Sequence, residues 1–126
     1  DPRVTTAQQG RRLSYEEYHR LLRRSKLALS VRGGGFDTLR YWEIVASGAV
    51  LVSERPDIVI PNNFEHGKHA LFCRPDLSDL MEVVRDALRD DTARQRIADN
   101  GIRHLLRFHT CERRAEYLLD VCRTHL

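Results

Sequence analysis

The sequence lacks the disulfide and metal-binding patterns that stabilise very small domains, and it lacks the apolar runs that place a chain in a membrane. It has three cysteines but no CxxC pair, and no apolar run approaches the ~18–20 residues of a membrane-spanning helix. Its first residues lack the apolar stretch of a secretory signal peptide. These absences exclude a zinc ribbon, a disulfide scaffold and a membrane span. We therefore expect a cytoplasmic protein, with peripheral attachment to a membrane as the other option.

A strong excess of one charge is also missing. The 21 lysines and arginines are set against 18 aspartates and glutamates, which leaves a formal net charge of +3. Most arginine pairs lie in segments that also carry acidic residues at helical spacing. This pattern is typical of solvated helix surfaces rather than of a stripe that follows nucleic-acid phosphates. We therefore expect no nucleic-acid partner.

What the sequence does contain is an alternation of short apolar strands and helices. Apolar segments at 27–31 and 49–53 flank a helical stretch at 38–47 that ends at Gly48, where a residue without Cβ can end a helix. Continuous apolar strands alternating with helices are typical of parallel sheets covered on both faces. The prediction is one α/β domain over residues 1–126, a Rossmann-like parallel sheet with helices on both faces and a helical C-terminus.

Capping residues and apolar spacing predict the remaining elements. Ser14 followed by Glu17 is a capping-box pattern at the start of a helix. Apolar residues spaced by three and four predict helices in the second half, one of them broken or bent near Gly101. The elements predicted in this way are helices at 15–25, 76–89 and 92–100, a strand at 70–73 and a last helix that begins at Thr110.

The segment after the first strand has the composition of an anion-binding loop. Three consecutive glycines at 33–35 let the backbone approach a ligand closely, and the first amides of the following helix attract anions. Arg32 and Arg40 each offer a charge-assisted contact. The loop is neither GxGxxG nor a P-loop, so a tight turn without a ligand explains the glycines equally well.

Glu43 favours the ligand-binding interpretation. It lies in an otherwise apolar helical stretch at 41–46, and a buried carboxylate needs partners. From this position it would reach back over the same crevice and accept hydrogen bonds from sugar hydroxyls. The alternative is an exposed glutamate on a partly buried helix.

The histidines do not form a convincing metal site. His66 and His69 flank a Gly-Lys turn, but no third ligand lies at a suitable spacing, so no metal is expected. His104 and His109 lie five residues apart, which is about 140° around a helix, and we predict that they do not share a face.

The run from Gly35 to Val52, which includes Glu43, Ala46 and Gly48 as E-x-x-A-x-G, resembles the donor-binding segment of GT-B glycosyltransferases. It is similar in particular to the group 1 C-terminal domain and its CgeB-like and exostosin-like relatives. There a glycine-containing loop, this helix and the next strand hold a nucleotide-sugar. The likeness covers residues 14–119. Its downstream parts are His66-Gly67-Lys68, Arg96 to Gly101 and Phe108-His109-Thr110.

The resemblance implies transfer of a sugar from a nucleotide-diphosphate donor to an unidentified acceptor. It implies no cofactor and no metal, since protein cations hold the diphosphate, and it assigns Glu43 to the ribose hydroxyls. The implied donor-binding residues are Arg32, Gly33, Gly34, Gly35, Phe36, Thr38, Arg40 and Glu43. Retaining members carry an earlier glutamate where this chain has Gly35, so sugar recognition by that carboxylate does not carry over. No catalytic residue is identified.

The number of strands predicts that the chain is a fragment. The pattern supplies about three or four strands, where a doubly wound sheet usually has about five or six. The resemblance then implies a missing N-terminal GT-B domain on the acceptor side, and an isolated fragment without activity. A half-sheet exposes an apolar edge, so we expect pairing with a second copy or another chain. The alternative function is a non-catalytic nucleotide-binding, phosphate-binding or interaction module of the same fold.

Overall fold

The computed structural model describes residues 12–126, in which three parallel strands are packed between helices. The elements are α1 (Tyr15–Arg24), β1 (Leu27–Ser30), α2 (Leu39–Ala46), β2 (Val50–Glu54), β3 (Leu71–Cys73), α3 (Leu80–Arg89), α4 (Asp91–Phe108) and α5 (Cys111–His125). The strand order is β1-β2-β3, and both neighbouring pairs are parallel. The carboxyl ends of all three strands therefore meet at one edge of the sheet.

Both faces of the sheet are covered by helices. Side chains alternate along a strand, so Leu51 lies on one face of β2, and Val50 and Val52 lie on the other. Leu51 packs in a cluster with residues of α1 and α2, whereas Val50 and Val52 pack with residues of α3 and α4. All of β2 is buried, as expected for the central strand of a covered parallel sheet. The predicted α/β class, the parallel sheet and the helical C-terminus are confirmed.

The predicted helix ends are formed by the side chains that the sequence indicated. Ser14 Oγ accepts a hydrogen bond from the Glu17 amide at 3.2 Å, and the Glu17 carboxylate accepts one from the Ser14 amide at 2.9 Å. Thr110 Oγ1 accepts from the Arg113 amide at 3.3 Å. Gly48 has φ +88°, the left-handed conformation predicted for the residue that ends α2.

The predicted break near Gly101 is wrong, because α4 continues from Asp91 to Phe108. Gly101 is a buried packing position within this helix. A Cβ built on it would lie 2.8 Å from the His69 carbonyl oxygen and 3.1 Å from Val45 Cγ1. The glycine thus lets α4 lie against α2 and the turn at 65–70. Its low helix propensity, about 1 kcal/mol relative to alanine, does not end the helix.

Several apolar side chains of the described residues remain exposed. On β1, the end strand in the order, Leu29 is 44% exposed, and on α5 Leu118 and Leu119 are 61% and 53% exposed. Pairing of the sheet edge with a second chain stays a prediction. None of the helices within residues 12–126 is both long and apolar enough to cross a bilayer.

Candidate functional site

The loop between β1 and α2 lies at the carboxyl edge of the sheet, where open α/β sheets bind ligands. The Gly33 amide donates to the Gly35 carbonyl at 3.2 Å, so the glycines do form a tight turn. Among residues 12–126, no atom beyond the adjacent residues lies within 4 Å of the Cβ position of any of the three glycines at 33–35. None of these three has a positive φ. Within the described part of the chain, neither a positive φ nor internal packing therefore requires glycine here, and the space around these Cβ positions is open.

The N-terminus of α2 faces this loop without a cap from its own sequence. Thr38 is the N-cap residue, but its side chain does not accept from α2 and instead lies 3.4 Å from Ser30 Oγ. The first turn of α2 contains no acidic residue. Helices α1, α4 and α5 are each capped by a side chain, whereas α3, like α2, is not. Among the first amides of α2, that of Tyr41 donates to the Thr38 carbonyl at 3.1 Å, and no side chain caps the helix.

Glu43 lies on the face of α2 that packs against α1. Its Oε2 accepts a hydrogen bond from the Tyr18 hydroxyl at 3.1 Å, and its Oε1 is 3.9 Å from His19 Nε2. The side chain is 30% exposed, so both partners and solvent reach the carboxylate. Burial, and then the bond to Glu43, raise the pKa of Tyr18, while Arg40 acts in the opposite direction. The phenol therefore stays protonated and donates to Glu43.

The structure brings the predicted residues together in two groups. The first group comprises the loop from Arg32 to Phe36 with Thr38, at the edge of the sheet. The second comprises Arg40 and Glu43, which are three residues apart on one face of α2 and both interact with Tyr18. Glu43 lies about 7.5 Å along the helix axis from Thr38, given the rise of an α-helix.

Glu54 is part of the first group and was missed by the sequence prediction, which ended the strand at residue 53. It is the last residue of β2, and its side chain is only 4% exposed. Its Oε1 accepts from the Arg32 amide at 2.6 Å, and its Oε2 is 3.6 Å from Arg32 Nε. The sequence did offer one signal for Glu54, which is a carboxylate at the end of a continuous apolar strand.

A cavity of about 250 Å³ lies beside the loop and was also missed. Asp37, which follows the loop, lines it together with residues 58–62 and Arg114. The Asp37 carboxylate accepts from the Trp42 indole N–H, and the Arg114 guanidinium lies 4.3 Å from the centre of a Trp42 ring. Trp42 is half-buried, packs against the core cluster that contains Tyr41 and Phe64, and supports polar residues of the cavity.

The prediction that His104 and His109 do not share a face is wrong. The Nε2 atoms of both rings lie 2.7 Å from the Asn62 carbonyl oxygen. The 100° rotation per residue does not apply because α4 ends at Phe108, and His109 has φ −124° and ψ 12°. Two histidines thus hold one carbonyl of the loop that lines the cavity.

The other two histidines considered as metal ligands form hydrogen bonds to the backbone. His66 Nδ1 accepts from the Phe72 amide at 2.9 Å, and His69 Nδ1 accepts from the Glu65 amide at 3.1 Å. Across residues 12–126, no group of three or more His, Cys, Asp or Glu side chains is placed to hold a metal ion.

The histidine cluster predicts acid sensitivity. Burial lowers the pKa of both His69 and His109, and the ring centres of His69 and His104 are 4.1 Å apart. The folded state then binds fewer protons than the unfolded state below pH ~6.5. The contribution of these two histidines to the free energy of unfolding is fully present above that pH, and it decreases as the pH falls towards their folded-state pKa values. The slope reaches at most about 1.4 kcal/mol per pH unit for each histidine.

Urea unfolding between pH 7.5 and 5 measures this dependence. The substitutions His69→Gln and His109→Gln should each flatten the profile, while His125→Gln, at an exposed position, should leave it unchanged. A wild-type stability that is constant over this range would contradict the prediction.

Comparison with known proteins adds one match. The sequence model of a family described as glycosyl transferase-like matches residues 2–120. None of the curated proteins searched matches the chain.

Proposed function

The chain belongs to the glycosyl transferase-like family, and from this we propose that it binds a nucleotide-diphosphate sugar for transfer of the sugar to an acceptor. The observation that carries the proposal is the open glycine turn at 33–35. In the portion of the chain that the structure describes, no contact and no positive φ explains three glycines there, so we infer that their missing side chains leave room for a ligand.

The chemistry of glycosyl transfer suits this edge of the sheet. Negative charge grows on the leaving diphosphate as the glycosidic bond breaks, and donors placed in advance stabilise that charge. The donors proposed here are the amides of the glycine turn, the first amides of α2, and the guanidinium groups of Arg32 and Arg40. Phe36, with Arg32 5.7 Å from the centre of its ring, would flank the diphosphate or sugar.

Glu43 is proposed to accept hydrogen bonds from the ribose hydroxyls of the nucleotide. Its carboxylate is partly exposed, which leaves it accessible to a ligand. The Tyr18 hydroxyl occupies one side of Oε2 and so fixes the carboxylate before a ligand arrives. This pre-organisation lowers the entropic cost of ordering the side chain on binding.

The proposal also covers cofactors, the acceptor and the location of the protein. No metal or other cofactor is needed, because arginines and backbone amides hold the diphosphate. The acceptor-binding site and the catalytic base are assigned to a second GT-B domain upstream, and the protein is proposed to act in the cytoplasm or at a membrane surface.

Calorimetry on the natural full-length protein with uridine, guanosine and thymidine diphosphates tests the proposal. One of these should bind, and Glu43→Ala should weaken it about 10- to 100-fold, since hydrogen bonds to charged groups contribute about 1.5–3 kcal/mol. Gly34→Ala should weaken it as well but leave the unfolding temperature unchanged, because the new Cβ has no described residue within 4 Å apart from its chain neighbours.

Glu82→Ala provides the matched control, since it removes an exposed glutamate from the first turn of α3. It should leave nucleotide affinity unchanged. If the wild-type protein bound none of the three diphosphates, or if Glu43→Ala bound them as tightly as the wild type, the proposal would be wrong.

A further inference from the structure

The buried carboxylate of Glu54 has no evident purpose in packing. Its neighbours along β2 are Val50, Leu51, Val52 and Ser53, and its own residue exposure is 3%. Burying a carboxylate is costly unless charge and hydrogen bonds compensate, and an apolar residue at the end of this strand would avoid that cost. The carboxylate therefore calls for an explanation in terms of what it holds.

Both oxygens of Glu54 contact a single residue, Arg32. The backbone amide of Arg32 donates to Oε1 at 2.6 Å, and Arg32 Nε lies 3.6 Å from Oε2. The first contact fixes the backbone where β1 passes into the glycine turn. The second contact is an ion pair at Nε of the guanidinium group, and the Arg32 side chain as a whole is 60% exposed. Neither terminal nitrogen of Arg32 has a hydrogen-bond partner among residues 12–126.

We propose that Glu54 is a positioning residue of the donor site, which sets the glycine turn and the Arg32 guanidinium in the arrangement that binds the diphosphate. This rests on the proposed function. Glu54 is buried beneath the turn and acts through Arg32, so it need not touch the ligand. A guanidinium held at Nε keeps its two terminal nitrogens for a phosphate, the paired geometry in which arginine binds oxyanions best.

If Glu54 acted only through its charge, removing the carboxylate would have the opposite effect on diphosphate affinity. A negative charge close to an anion site repels the anion, so Glu54→Gln should tighten diphosphate binding if Glu54 acted only through its charge. If Glu54 positions Arg32, the same substitution should weaken binding. The amide of Gln can still accept from the Arg32 N–H, but the ionic contact to Nε is lost. The direction of the change therefore separates the two explanations.

Titration of the full-length protein with inorganic pyrophosphate and with the nucleoside diphosphate that binds best tests the proposal. We expect Glu54→Gln to weaken both about 10-fold and to leave binding of the free nucleoside unchanged. Arg32→Gln should weaken both by a similar factor, and the double variant should be no weaker than Arg32→Gln alone, because the two residues act as one unit. Unchanged or tighter binding of pyrophosphate by Glu54→Gln would overturn the proposal.

An NMR measurement in the absence of ligand separates this proposal from the proposed function. The Arg32 amide and Hε resonances should shift in Glu54→Gln but not in Glu82→Gln. If the wild type binds no diphosphate, the proposed function fails, whereas normal diphosphate binding with unshifted Arg32 resonances refutes only the role of Glu54.

Arg32→Lys covers the case in which Glu54→Gln does not fold. It keeps the backbone contact and the positive charge but lacks the guanidinium that Glu54 holds at Nε. Pyrophosphate affinity should fall about 10-fold in Arg32→Lys, and an affinity equal to that of the wild type would refute positioning by Glu54.

Discussion

Replacing Gly101 with valine is expected to destabilise the protein severely, by about 3 kcal/mol or more. The added Cβ would lie 2.8 Å from the His69 carbonyl oxygen, which belongs to the backbone. The turn at 65–70 cannot shift easily, since the His69 amide donates to the Glu65 carbonyl at 3.0 Å and the Gly67 amide to the Ala70 carbonyl at 2.8 Å. Helix α4 must therefore move away from α2 and the sheet.

Thermal or urea unfolding followed by circular dichroism measures this effect. Gly101→Ala tests the same contact with a smaller group, and its gain in helix propensity of about 1 kcal/mol offsets only part of the cost. Gly33→Ala is the control, because no described residue apart from its chain neighbours lies within 4 Å of its Cβ position. A Gly101→Ala variant more stable than the wild type would show that α4 adjusts freely and that the close contact is not a constraint.

The contrast between these glycines shows which part of the fold the sequence could predict. Apolar runs predicted β1, β2 and their parallel pairing, and Ser14 and Thr110 predicted helix starts, because both signals depend on neighbouring residues. Gly101 was misread because its purpose is a contact with residues 45 and 69, which are distant in sequence. A local signal cannot distinguish a glycine that ends a helix from one that lets two elements approach.

The candidate site shows the same limit. Residue types and spacing predicted the glycine turn and Glu43 as candidate site residues. They did not indicate Glu54, because its contact with Arg32 forms only when β2 lies beside β1. His104 and His109 were separated by helical geometry and are brought together by the end of α4 at Phe108. Where the chain changes direction, periodicity no longer predicts which side chains meet.

Tyr41 is the residue whose truncation should cost most within α2. It is 1% exposed, its ring stacks on Phe64 at 5.6 Å, and its hydroxyl donates to Asn63 Oδ1 at 2.8 Å. Burial raises the pKa of this phenol far above its ordinary range, so the hydroxyl remains a donor. Tyr41→Ala should destabilise by about 3–5 kcal/mol through loss of the buried ring.

Tyr41→Phe separates the hydroxyl from the ring. Asn63 Oδ1 also accepts from the Phe64 amide at 2.8 Å, so removal of the hydroxyl leaves this oxygen with one partner, and the cost should be only about 1 kcal/mol. Tyr117→Ala, at a position on α5 that is 48% exposed, should change stability by less than about 0.5 kcal/mol. If urea unfolding showed equal losses for Tyr41→Phe and Tyr41→Ala, the hydroxyl and not the ring would hold the loop at 61–64 against α2. If most of the stability is instead lost with the ring, core packing at Tyr41 fixes the position of α2. The same helix carries Arg40 and Glu43, so the proposed donor contacts would depend on that packing.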